Sequence, residues 1–60
     1  MIIETIADNF GMKVNIVDGE NGKYNAVLID ADCEMMVAAK CGYVSVEDAK
    51  VSAKKMLNID

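Results

Sequence analysis

A tight reversal in the middle of the sequence constrains the fold more than any other feature. Residues 18–23 contain two glycines together with Asp18 and Asn21, a composition typical of a β-hairpin tip. The preceding segment, 12–17, alternates apolar and polar residues, and so does Tyr24–Asp30 after it. Alternation of this kind is the pattern of a strand with one buried face. The sequence therefore predicts an antiparallel hairpin.

Two further elements follow this hairpin. A turn over 30–33 leads into the apolar segment 34–41, which predicts a third strand. Ser45 then begins a helix as its N-cap, with Asp48 at the third helical position in a variant of the capping box. Acidic residues near the start of this helix and lysines near its end suit the helix dipole. The stripe predicted to be buried is Val46, Ala49, Ala53, Met56 and Leu57.

The first ten residues are compatible with two structures. Ile2, Ile6 and Phe10 recur at i, i+4 and i+8, which is helical spacing. We predict a short helix over 1–10, with an edge strand over 2–7 as the alternative.

Together these elements predict an α+β fold. The simplest arrangement is a three-stranded antiparallel meander with the C-terminal helix packed on one face and a short N-terminal helix, or edge strand, before it. Sixty residues suffice for a single domain, 1–60. A domain of this size buries only about 60% of its unfolded surface, so support such as self-association is common.

The second face of the predicted sheet is apolar. It would carry Val27, Ile29 and Met36, with Val17 beside them. The solvent face of an antiparallel sheet is normally polar. Either the N-terminal helix covers this face, or a second copy of the chain or another protein does. These four residues are our candidate partner or dimer interface; an uncovered edge strand would offer a second route, strand addition.

The charge of the chain bears on its partners and location. Ten acidic residues and six lysines give a net charge of −4, and the chain has neither Arg nor His. Nucleic-acid binding needs a positive field and relies heavily on Arg, and an anionic membrane surface repels acidic proteins. No apolar run approaches the roughly 20 residues of a membrane span. We expect a cytoplasmic protein without membrane or direct nucleic-acid contact.

No catalytic constellation is expected. Without His, the thiols of Cys33 and Cys41 lack their usual activating base, and Ser45 is explained as a helix cap. Acidic residues alternate over 30–34 like the opening of a calcium loop, but Met35 stands where that loop needs Gly. We predict no enzymatic activity, no metal site and no cofactor.

Acidic residues gather at one end of the predicted meander. The hairpin tip lies near the start of the C-terminal helix, which places Asp18 and Glu20 near Glu47 and Asp48. An acidic end of this kind could meet a basic protein surface.

From residue 23 onward the sequence resembles known small domains. The stretch 23–28 (KYNAVL) is followed by a turn, a strand, Gly42-Tyr43, Ser45 and an Ala-rich amphipathic helix. This order resembles the strand-strand-strand-helix domains of the YegP family. It is also similar to the partial ribonuclease-H-like domain of HicB antitoxins, in which a strand pair precedes a helix of the Ser-Val-Glu-Asp-Ala type. In size and charge the chain resembles phage-encoded inhibitors, including anti-CRISPR proteins.

These features favour a non-enzymatic protein-binding module of phage or bacterial origin. It would be a small inhibitor or regulator that acts by protein–protein contact, and a homodimer is one expected form. The alternative is a nucleic-acid-associated protein: an acidic mimic of nucleic acid, or a weak binder through Lys50, Lys54 and Lys55.

Overall fold

The computed structural model describes residues 1–58 and confirms an α+β fold. Within that range it contains one four-stranded antiparallel sheet and one α-helix. The strands follow one another across the sheet in chain order, and a short 3-10 turn forms the tip of the second hairpin. The elements are β1 (Ile2–Ala7), β2 (Met12–Asp18), the turn Glu20–Gly22, β3 (Tyr24–Asp30), β4 (Met35–Tyr43) and α1 (Val46–Met56).

The N-terminal segment is a strand, so the predicted helix over 1–10 is wrong and the alternative edge strand is correct. β1 pairs antiparallel with β2, with Thr5 opposite Asn15 and Ile6 opposite Val14. Four of its six residues are β-branched, and such residues favour extended backbone. The sheet therefore has four strands rather than the predicted three.

The turn between β1 and β2 explains why the helix does not form. Gly11 has a φ of +88°, a conformation that Gly adopts without steric cost. The carboxylate of Asp8 accepts hydrogen bonds from the backbone N–H groups of Phe10 (2.8 Å) and Met12 (3.0 Å). Such a side-chain-to-backbone turn competes with helical hydrogen bonding, and it directs the chain back along β1.

The predicted hairpin of β2 and β3 is confirmed, and β4 follows it with an irregular register. β4 begins one residue later and ends two residues later than the predicted strand over 34–41. Its pairing with β3 shifts near Val37 and again near Gly42, and β1 has a shift between Ile2 and Glu4. Both edge strands are thus bulged, which interrupts the straight row of free backbone groups that strand addition needs.

The core lies between α1 and one face of the sheet. Ala49 and Ala53 of α1 are fully buried there and allow the helix to lie close to the sheet. The predicted N-cap is confirmed, because the Ser45 hydroxyl accepts a hydrogen bond from the Asp48 N–H at 3.1 Å. At the sheet edge, the Lys50 ammonium lies 3.5 Å from a carboxylate oxygen of Glu4. The buried apolar residues are Val14, Ile16, Ala26, Ala49, Ala53 and Leu57, and the other members of the predicted stripe, Val46 and Met56, pack against them.

Within the described residues, α1 is too short and too polar to cross a lipid bilayer.

Candidate protein-binding face

The sheet face turned away from α1 contains the four residues predicted as an interface. In β2 and β3, Val14, Ile16 and Ala26 are buried under α1, so the alternate residues project from the opposite side. The strand register then assigns the rest of that side. We call it the open face; it comprises Ile2, Thr5, Ala7, Lys13, Asn15, Val17, Asn25, Val27, Ile29, Met36 and Ala39.

The described residues leave this face uncovered. Ile2 is 56% exposed and Met36 is 67% exposed, while Val17, Val27 and Ile29 are half-buried among their neighbours on the sheet. The N-terminal segment, one of the covers predicted for this face, lies within the sheet as β1 and therefore does not cover it.

Asn15 lies near the middle of the open face, and its importance was not predicted from the sequence. It is only 8% exposed, and its side-chain oxygen accepts a hydrogen bond from the Thr5 hydroxyl at 2.7 Å. The alternation of 12–17 identified Asn15 merely as a polar residue on the solvent side. The missed signal is the pair of residues opposite Asn15, the Thr5 hydroxyl on β1 and the apolar Val27 on β3, which are known only once the strands are in register.

The open face carries almost no net charge, although the chain has a charge of −4. Lys13 is its charged residue, and the Lys13 ammonium lies 3.4 Å from a carboxylate oxygen of Glu34 in the turn between β3 and β4. This ion pair stands at one end of the face. The rest of the open face therefore carries no charge.

The acidic residues predicted to form one end belong to two elements. Tyr24 at the start of β3 pairs with Tyr43 at the end of β4, so the tip of the second hairpin and the start of α1 lie at the same end of the sheet. Two of the four acidic residues predicted there are in ion pairs. Asp18 contacts the N-terminal ammonium at 2.9 Å, and Glu47 contacts Lys50 at 3.8 Å; the other two are Glu20 and Asp48.

The N-terminal ammonium changes the acidity of Asp18. The hydrogen bond from that ammonium, a hydrogen bond from the backbone N–H of Asp18 itself and the positive charge together lower the pKa of the Asp18 carboxyl. The Asp18 side chain is 59% exposed, so solvent screens this interaction.

The remaining candidate residues are dispersed. Lys50 is engaged by Glu4 and Glu47, which reduces the positive charge available from the lysines of α1. Cys33 and Cys41 are free and exposed. In residues 1–58, no group of three or more acidic or thiol side chains is placed to hold a metal ion.

Comparisons with protein-family models, with curated proteins and with solved structures find no match to this chain. The likeness to YegP-like domains, HicB antitoxins and phage-encoded inhibitors therefore stays a prediction from the sequence.

Proposed function

We propose that this protein is a non-enzymatic protein-binding module, a small inhibitor or regulator that acts through its open face. The observation that carries the proposal is an apolar sheet face with a neutral centre that the described residues leave uncovered. Large exposed apolar patches are rare on monomeric proteins and commonly mark interaction sites.

Burial of this face supplies a favourable free energy. Removal of apolar surface from water stabilises a complex by roughly 25 cal/mol per Å². Binding through this face loses little conformational entropy, because Val17, Val27 and Ile29 are already held in place by a paired sheet and not by a loop. A rigid surface of this kind binds by shape and apolar contact, without any chemical step.

Other features of the chain support this function over the alternatives. The bulges near Val37 and Gly42 weaken the edge of β4 as a route for strand addition. The engagement of Lys50 by two carboxylates weakens a lysine-based nucleic-acid site. The absence of His leaves the exposed thiols without their usual base, which supports a non-enzymatic role.

Matched substitutions test the open face directly. Met36 on the open face and Val44 outside it are 67% and 69% exposed, and Ile2 and Val51 form a second pair at 56% and 55%. We expect Met36→Glu and Ile2→Glu to abolish the capture of partner proteins from a bacterial lysate, quantified by mass spectrometry. The control variants Val44→Glu and Val51→Glu should retain it. Circular dichroism should first establish that all four variants fold.

Equal capture by the open-face variants and the controls would contradict the proposal, because an unpaired carboxylate buried against an apolar partner surface is strongly unfavourable.

A further inference from the structure

We infer that the open face binds a second copy of this chain, with the two sheets stacked around a two-fold axis close to Asn15. This inference rests on the proposed function, since it takes the open face as the binding surface and names its occupant. Two properties of the face support it: its charge and the chemistry of its central side chain. Its area sets the expected strength of the association.

The area of the open face sets the strength of a dimer, which we expect to be weak. Four strands spaced about 4.8 Å apart span about 19 Å, and seven residues at about 3.3 Å each span about 23 Å. The flat area is then roughly 440 Å² per copy, or roughly 880 Å² for the pair, before the relief of the side chains is counted. Stable interfaces begin near 1,200 Å² of accessible surface, which exceeds flat area, so we expect a dissociation constant of roughly micromolar size.

The open face avoids the electrostatic repulsion that would otherwise oppose self-association of an acidic chain. Two copies that each carry −4 repel one another unless their carboxylates stay apart. On the open face the one charge belongs to Lys13, and Glu34 already neutralises it. Glu4 faces the helix side, where it contacts Lys50. Stacked open faces therefore bring no carboxylate of β1, β2 or β3 against its copy.

The side chain of Asn15 distinguishes a second copy from an unrelated partner. A carboxamide has both donors and acceptors, so two Asn15 side chains related by a two-fold axis can exchange reciprocal hydrogen bonds. Thr5 occupies one acceptor position of the Asn15 oxygen and orients the amide, which leaves its N–H groups for the partner's amide. In coiled coils a single Asn in an apolar interface selects register and oligomeric state in the same manner.

Sedimentation equilibrium tests the inference with purified protein. The wild-type chain should form dimers with a dissociation constant of about 1–100 µM. Asn15→Asp places two carboxylates across the axis, so we expect dimerisation at neutral pH to weaken at least about tenfold and to recover when acid protonates them. Asn15→Val removes the reciprocal hydrogen bonds, and association should persist while losing a single defined stoichiometry.

Because Asn15→Asp also strains the monomer, Met36→Glu provides a second disruption at a position that is exposed, with Val44→Glu as its control. Loss of the dimer in Met36→Glu and its retention in Val44→Glu would support the inference.

The remaining outcomes separate this inference from the proposed function. A wild-type chain that stays monomeric at about 1 mM overturns the second copy as occupant. The proposed function then stands if the wild-type chain captures a different protein and the Met36→Glu variant does not. A dimer that survives both Asn15→Asp and Met36→Glu places self-association elsewhere and overturns the inference.

Discussion

The hydroxyl of Thr5 donates a hydrogen bond of 2.7 Å to the side-chain oxygen of Asn15, directly across the pairing of β1 with β2. This bond joins an edge strand to the central polar group of the open face, in addition to the backbone pairing of β1 with β2.

Removal of both partners of this bond should cost less than the sum of the two single removals. We expect Thr5→Val to lower the free energy of unfolding by about 1 kcal/mol, because the partly buried Asn15 oxygen loses its donor. In Thr5→Val/Asn15→Val both polar groups are gone, so the loss should be smaller than the sum of the two single changes. Urea denaturation of the wild type, the two single variants and the double variant, all at one low protein concentration, measures the coupling energy between Thr5 and Asn15. Strictly additive losses of stability would contradict the prediction.

The core between α1 and the sheet should be sensitive to the volume of Ile16. This side chain is fully buried, so Ile16→Val should cost about 0.5–1.5 kcal/mol and Ile16→Ala about 2–5 kcal/mol. A domain of this length has a stability of roughly 3–9 kcal/mol, and the alanine variant should therefore approach unfolding at room temperature. Val51→Ala, on the exposed side of α1, should stay within about 0.5 kcal/mol of the wild type in the same thermal melts.

The start of α1 should depend on the hydroxyl of Ser45. Ser45→Ala leaves the N–H of Asp48 without its acceptor, and we expect a loss of about 1 kcal/mol in the free energy of unfolding. Ser45→Asp retains an acceptor at the same position and should largely preserve stability. If Ser45→Ala unfolds at the same denaturant concentration as the wild type, the cap does not contribute to the fold.

The contact between Asp18 and the N-terminal ammonium should appear in an NMR titration of the Asp18 carboxyl. We expect its pKa to lie below the usual range of Asp, and to return toward that range when the amino group is acetylated. Because the Asp18 carboxyl has a lower pKa in the folded chain than in the unfolded chain, its ionised form stabilises the fold at pH values above the unfolded-state pKa. This stabilisation is lost as the pH falls through the folded-state pKa. Asp18→Asn should therefore show a flatter acid-unfolding profile than the wild type, with the difference reduced by salt.

Local signals in the sequence were sufficient for the central hairpin and for α1. The turn 18–23 lies between two alternating segments, and Ser45 with Asp48 caps a helix whose apolar stripe includes Ala49 and Ala53. In each case the groups that determine the element lie within a few residues of one another. The same alternation predicted that Val27, Ile29 and Met36 belong to the face away from α1.

The alternation failed where the backbone is bulged. An unbroken strand over 34–41 would have placed Met36 and Ala38 on one face. In the structure Met36 pairs with Ile29 and belongs to the open face, whereas Ala38 pairs with Leu28 on the helix side. A bulge depends on how a strand fits its neighbour, so the sequence of β4 alone does not show it.

The sequence by itself determined the α+β class, the hairpin, the capped helix and an apolar second face, because these depend on contacts between residues close along the chain. Tertiary structure decided the fate of the N-terminal segment: the backbone groups of β1 find their partners on β2, where an α-helix would have paired them internally. The same pairing adds Ile2 and Thr5 to the open face and leaves it uncovered. It also gives Asn15 a hydrogen-bond partner, because only the assembled sheet brings that amide and the Thr5 hydroxyl together.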